Sequence, residues 1–191
     1  MFNALSKTVL TCFFVSGIAY AAYSLPNMNE TKFQEWAKTT AYLKNINKKN
    51  AALCADGKQG MPYSKEFLLN DAQVSFTAHI SCPDMVISRE IIKIDGANIG
   101  TSRKDEALNS IISAVLGEET GKDFNNSTAE VAKVLGNSRG IPTSINVYRG
   151  DKYTYVITNG KNSNIKYVEL YGLDKYPKIV HSLKIGTYTV N

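Results

Sequence analysis

The chain has few of the side chains that enzymes use for acid–base or nucleophilic chemistry. Its 191 residues include two histidines and three cysteines, and Cys12 falls in a predicted leader. Both histidines lie in predicted strands: His79 is expected to face solvent, whereas His181 alternates with Ile179 and Leu183 and is expected in the core. A nucleophilic triad therefore has few candidates.

The sequence also lacks the motifs of the large cofactor classes. It has no glycine-rich phosphate loop, no dinucleotide fingerprint and no cysteine spacing typical of a metal site. The acid pairs Glu118/Glu119 and Glu30/Glu35 could serve glycan hydrolysis, but neighbouring acids at helix ends are usually solvated. The sequence favours a protein that is not an enzyme and has no cofactor or metal, with a small glycan hydrolase as an alternative.

A long apolar run occurs only at the N-terminus. Residues 8–17 are mostly apolar and precede Ala19-Tyr20-Ala21, which places small residues at the two positions that signal peptidase reads. This pattern predicts a signal peptide at residues 1–21 and an exported protein that is periplasmic, outer-membrane-associated or secreted, with no transmembrane span after cleavage. The alternative is an uncleaved anchor, although the run is slightly short of the roughly 20 residues that a spanning helix needs.

Removal of the signal peptide leaves one pair of cysteines, Cys54 and Cys82. In an oxidising compartment such a pair is expected to form a disulfide, which stabilises a fold by closing a loop in the unfolded chain. The alternative is two buried free thiols.

Residues 22–191 are predicted to form a single α+β domain. The first half begins with an amphipathic helix at residues 31–47 that places Trp36 against the core. Ser64 then resembles the N-cap of a short helix, with Tyr63 and Leu68 as a hydrophobic staple. Residues 73–82 alternate as a half-buried strand, and residues 85–94 return as the second arm of a hairpin.

Two further helices are predicted in the middle of the chain. The first begins near Ser102, buries a stripe of Leu108, Ile111, Ile112, Val115 and Leu116, and ends at Gly117. The second runs from a capping box at Ser127 to Gly136. The polar residues 118–126 between them are predicted to be a mobile loop.

The last quarter of the chain, residues 143–190, is predicted to be a β-meander. Its four runs are SINVY, KYTYVIT, NIKYVEL and KIVHSLKI, and the breaks between them are rich in Gly, Asn and Asp. The expected fold is an antiparallel sheet, built from the hairpin and this meander, with one face covered by the N-terminal helix and the helix pair. The order helix, helix, meander from Ser102 to Leu170, with VAKVLG before the strands, resembles the small domains of outer-membrane assembly lipoproteins and β-lactamase inhibitor proteins.

The meander also carries the predicted contact surface. From Ser144 onward, seven Lys and Arg residues face three Asp and Glu residues, which matches a sequence pI of about 9.0 and a net charge of +5. Tyrosine supplies contact area at low entropic cost, and lysine favours anionic partners. The predicted binding residues are Tyr148, Arg149, Asp151, Lys152, Tyr153, Tyr155, Lys166, Tyr167, Tyr171 and Lys178.

The expected partner is a protein or an anionic component of a bacterial envelope, and not a nucleic acid. The alternative interpretation of the same surface is that tyrosine pairs stabilise the sheet and lysines keep its edges soluble. A further alternative is a secreted, host-facing virulence protein, because Arg149-Gly150-Asp151 lies in a predicted hairpin turn where Gly150 could adopt positive φ. Integrin-binding loops present the same tripeptide.

Overall fold

The computed structural model describes residues 28–48, 60–81, 86–138, 141–160, 162 and 164–188. The predicted signal peptide and both cysteines of the predicted disulfide, Cys54 and Cys82, lie outside these residues.

The described chain contains four α-helices and eight β-strands. In chain order they are α1 (Glu30–Thr39), β1 (Asn47–Lys48), β2 (Gly60–Leu69), β3 (Ala72–Ser81), β4 (Val86–Asp95), α2 (Glu106–Leu116), α3 (Glu118–Asn126), β5 (Thr128–Ser138), β6 (Ile141–Arg149), β7 (Tyr153–Asn159), β8 (Ile165–Gly172) and α4 (Tyr176–Lys184).

All eight strands belong to one antiparallel sheet with the order β1-β2-β3-β4-β8-β7-β6-β5. Strands β1–β4 and β5–β8 each form a meander, and the two meanders join where β4 pairs with β8, with Ile92 opposite Val168. The helices α2 and α3 connect the last strand of the first meander to the first strand of the second. The structure therefore has the predicted α+β fold.

The main core lies between one face of the sheet and the helices α1, α2 and α3. Phe33 of α1 stacks on Phe76 of β3 with ring centroids 6.3 Å apart, and Phe124 of α3 meets the edge of Tyr155 of β7 at 5.0 Å. All four rings are fully buried. The predicted stripe of α2 is buried as a whole, and Asp105 caps the helix by accepting the N–H of Leu108 at 2.8 Å.

Two predicted helices are strands. Residues 65–70 are predicted as a short helix after Ser64, but residues 65–69 belong to β2 and Asn70 begins the turn that follows. Tyr63 is buried and Leu68 is 73% exposed, so the predicted staple is absent. Residues 127–136, read as a second helix, belong mostly to β5. Pairing with β3 and with β6 overrides the capping signals, because local propensity is weak compared with the hydrogen bonds and packing that a neighbouring strand provides.

The predicted mobile loop at residues 118–126 is the helix α3. Its sequence is polar, but Phe124 is fully buried and Asp123 is 8% exposed, so the helix is held by tertiary contacts rather than by an apolar stripe. Ser127 caps the C-terminal end of this helix, with its hydroxyl donating to the carbonyl of Phe124 at 2.6 Å.

The fourth run of the predicted meander, KIVHSLKI, lies largely in α4. The run fits both periodicities, because Ile179 and Leu183 are two steps of a strand face and also one turn of a helix apart. In the structure both side chains are buried and His181 is exposed, so the prediction of a core histidine is wrong. The helix covers part of the second face of the sheet, which the sequence predicted to be partly exposed to solvent.

The first helix is shorter than predicted. It begins after the N-cap Asn29, whose side chain accepts the N–H of Lys32 at 3.0 Å, and it ends at Thr39 rather than near residue 47. Asn45 has a φ of 63°, which no helix accommodates. Trp36 packs partly buried against the core, as predicted.

Candidate functional site: the C-terminal helix and its anchor

The helix α4 has an apolar side fixed to the sheet and a basic side exposed to solvent. Tyr176, Ile179 and Leu183 are buried and form a second core with apolar residues of β6 and β7. The exposed side chains of the helix and the turn before it include Lys175, Lys178, His181 and Lys184. This division follows helical periodicity, with the lysines between the buried positions.

The start of α4 is also held by a cation–π contact. The guanidinium carbon of Arg149, at the end of β6, lies 5.2 Å from the centre of the Tyr176 ring. Arg149 is exposed, so the contact adds its charge to the same surface as the helix lysines. Near this surface, Asp174 forms an ion pair with Lys175 at 2.9 Å.

The segment after α4 is anchored on a buried polar cluster on the second face of the sheet. Arg89 Nη1 lies 3.2 Å from Glu169 Oε2 and 3.3 Å from the hydroxyl of Tyr171. That hydroxyl donates to Glu169 Oε2 at 2.5 Å, and the hydroxyl of Tyr188 lies 3.5 Å from it. We call these four residues the anchor cluster.

The anchor cluster forms because β4 and β8 are neighbours with matched register. Arg89 lies opposite Tyr171, and Glu169 lies two residues away on the same face of β8. Arg89 is 8% exposed and Glu169 is 2% exposed. A buried ion pair of this kind is costly to break, because removing either partner leaves an uncompensated charge.

Burial dominates the proton affinities in this region. It raises the pKa of Glu169 above its ordinary value, although the hydrogen bond from Tyr171 and the charge of Arg89 act in the opposite direction. Burial and the neighbouring Glu169 raise the pKa of Tyr171 to about 12. Next to the cluster, burial and the charge of Arg89 lower the pKa of His79 to about 4, so this histidine is neutral at physiological pH.

His79 is 5% exposed, and its predicted position in solvent is therefore wrong. It lies opposite Arg89 on the second face of the sheet. The alternation in β3 places it correctly on the face away from the main core, but the sequence does not show that this part of the second face is covered.

Three of the predicted contact tyrosines face the main core rather than solvent. Tyr148, Tyr153 and Tyr155 are 6%, 2% and 0% exposed. The hydroxyl of Tyr155 donates to Asp123 Oδ2 at 2.7 Å, and burial, together with this bond, raises the pKa of Tyr155. They cannot form an external surface in this fold, because α2 and α3 cover their side of the sheet.

The remaining predicted contact residues are divided between several environments. Lys166 is 7% exposed on the helix-covered face, where burial lowers its pKa, so it too is removed from the surface. Tyr167 and Tyr171 are half-buried on the second face. Lys152 is exposed and pairs with Glu119 at 2.9 Å, whereas Lys178 is exposed on α4.

The tripeptide Arg149-Gly150-Asp151 lies where a hairpin turn is predicted, with Arg149 as the last residue of β6 and Gly150 and Asp151 in the turn before β7. Gly150 does not have positive φ, so that part of the prediction is wrong. The turn is docked on α3, because Asp123 Oδ1 accepts the N–H of Asp151 at 2.8 Å and that of Lys152 at 3.2 Å. The backbone of the turn is thus packed on the protein, while the side chains of Arg149 and Asp151 are exposed.

Sequence reasoning missed Arg89 and Glu169 as parts of one site. The local signal is weak, because β4 also contains Glu90, Lys93 and Asp95 and β8 also contains Lys166. Their meeting depends on the pairing of β4 with β8, which are separated by about eighty residues.

The described residues contain no group of three or more His, Cys, Asp or Glu side chains arranged to hold a metal ion. In the same part of the chain, no helix has the length and apolar character needed to cross a membrane. The fold and site thus define an α+β protein with an eight-stranded antiparallel sheet and a basic C-terminal helix. Comparison with known proteins finds no matching family model, curated protein or solved structure.

Proposed function

We propose that this protein is an exported, non-catalytic binding protein that contacts an anionic component of the envelope through the basic side of α4. The proposal rests on four exposed basic side chains at the start and along one side of this helix: Arg149, Lys175, Lys178 and Lys184. Asp174, which pairs with Lys175, is an acid near the start of the helix. The proposal keeps the basic partner surface expected from the sequence. It moves that surface from the tyrosines of the meander to the helix that follows.

The attachment of α4 supports this proposal. A surface held in one orientation loses less entropy on binding than a flexible segment does. The helix is fixed by its buried side chains, by the contact of Arg149 with Tyr176, and by the anchor cluster beyond its end. Exposed lysines on a fixed helix attract an anionic surface at long range, and salt screens this attraction.

The test is binding of the purified protein to vesicles that contain phosphatidylglycerol. The variant Lys178→Glu/Lys184→Glu reverses two charges on α4, and the control Lys32→Glu/Lys38→Glu reverses two exposed charges on α1. Both variants have the same net charge. We expect the α4 variant to lose binding at low salt and the α1 control to retain most of it.

Equal losses in the two variants would mean that net charge alone drives retention, without a defined surface. Unchanged binding in the α4 variant would contradict the proposal directly. Binding of the unmodified protein that does not weaken as salt is raised would also contradict it, because attraction between exposed charges must be screened.

A further inference from the structure

A polar groove of about 450 Å³ lies between α2 and α3, on the side of the protein that carries the main core helices. Its volume is within the range of small-molecule sites. Its lining consists of hydrogen-bonding or charged side chains and one glycine, with Asn109, Ser113, Lys104 and Lys122 among them. The absence of apolar and aromatic side chains from this lining argues against an apolar ligand.

The groove is preformed by the packing of the two helices. A Cβ on Gly121 would lie 1.9 Å from Ser113 Oγ and 3.1 Å from Ser113 Cα, so the helices approach at a distance that only glycine permits. At one end, Arg103 donates to the backbone carbonyl of Asn125 and ties the segment before α2 to the end of α3. The lining residues other than Lys104 lie on α2 or α3, and Lys104 lies in the tied segment before α2.

The wall of the groove contains an acceptor without a donor. The side-chain amide of Asn109 donates to the carbonyls of Arg103 and Asp105 at 2.6 and 3.0 Å. Because both bonds require the NH₂ group, the orientation of the amide is fixed and Oδ1 points elsewhere. Among the described residues nothing donates to this oxygen, which is shielded from bulk water. The amide of Asn109 thus braces the start of α2 through its NH₂ group, whereas its oxygen is closed to a ligand in the groove.

We propose that this groove binds a small polyhydroxylated anion, such as a sugar acid. The exposed ammonium groups of Lys104 and Lys122 lie on its lining and would pair with a carboxylate. The carboxylate of Glu106 and the hydroxyl of Ser113 would accept from ligand hydroxyls. This site is separate from the basic side of α4 and does not depend on the function proposed for that helix.

The experiment is a titration of the ¹⁵N-labelled protein followed by backbone amide shifts of Asn109, Gly121 and Asn125. The probes are D-glucuronate, D-glucose as the neutral polyol, and acetate as the simple carboxylate. We expect glucuronate to shift these amides at millimolar concentration, and glucose and acetate to bind about tenfold more weakly, since each lacks one of the two sets of contacts.

The variant Lys104→Gln/Lys122→Gln should weaken glucuronate binding by about tenfold, whereas Lys32→Gln/Lys38→Gln on α1 should leave it unchanged. Both pairs are exposed, so neither is expected to disturb folding. The proposal is overturned if glucuronate leaves the three amides unshifted, if glucose or acetate shifts them equally well, or if the groove variant binds as the unmodified protein does.

Discussion

The carboxylate of Asp123 accepts the backbone N–H of Asp151 at 2.8 Å and thereby fixes the turn between β6 and β7 to the helix α3. The same carboxylate accepts from the N–H of Lys152 and from the hydroxyl of Tyr155. Asp123→Ala would leave these donors without their acceptor, so we expect the free energy of unfolding to fall by about 2–4 kcal/mol in urea denaturation. Asp151→Ala, at an exposed side chain in the same turn, should change it by less than about 0.5 kcal/mol.

Glu90 is a fully buried acid in the main core, opposite Ala78 and Leu170, and neither carboxylate oxygen has a hydrogen-bond partner among the described residues. Burial raises its pKa from 4.5 to about 8. Between these values the folded state binds more protons than the unfolded state, so stability falls as pH rises and stays low above the folded pKa.

Urea denaturation between pH 6.5 and about pH 9 checks this prediction, because His79, with a pKa lowered to about 4, is neutral in the folded state throughout this range. Glu90→Leu should remove the decline and stabilise the protein at the upper end of the range by several kcal/mol. A decline of equal size in the variant would show that another group causes it. Below pH 6.5, His79 should contribute the opposite slope, with stability lost as pH falls toward 4.

Arg89 and Glu169 should behave as a coupled pair. Arg89→Met leaves the Glu169 carboxylate buried without its cation, and we expect a loss of about 3–5 kcal/mol in the free energy of unfolding. The double variant Arg89→Met/Glu169→Leu should be more stable than this single variant, since no charge is then buried. A double-mutant cycle in urea measures the difference, and strictly additive losses would show that the two charges do not interact.

Gly121→Ala should destabilise the helix pair, although alanine normally favours a helix over glycine by about 1 kcal/mol. The added Cβ would meet both the side chain and the backbone of Ser113, so the helices must separate. We expect a net loss of about 1–3 kcal/mol by thermal or urea unfolding. Gly121→Ala combined with Ser113→Gly should recover part of the loss, and no recovery would locate the strain elsewhere.

The predicted export and disulfide are checked by intact mass. Protein recovered from the periplasm of an expressing cell should begin near Ala22 and lack the two hydrogens that a Cys54–Cys82 bridge removes. Retention of residues 1–21 would support the uncleaved anchor, and alkylation of both cysteines without reduction would support two free thiols.

The sequence by itself determined the elements in which the spacing of apolar residues fits only a helix or only a strand. The stripe of α2, the alternation of Val74, Phe76 and Ala78 in β3, and the strands β6 to β8 were all predictable, because local spacing and burial agree. The antiparallel α+β class followed from these elements.

Only the tertiary structure decided between helix and strand in the segments whose local signals conflict. Capping residues favoured helices at the positions of β2 and β5. Strands form there instead, because pairing with a neighbouring strand outweighs a cap. The run around His181 fits a strand and a helix equally, and packing of Ile179 and Leu183 on β6 and β7 selects the helix. The helices α2 and α3 bury Tyr148, Tyr153 and Tyr155 on one face of the second meander, and α4 covers part of the other face. The lysines of α4 stay exposed, because burial removes apolar area from water while these charged side chains keep their hydration.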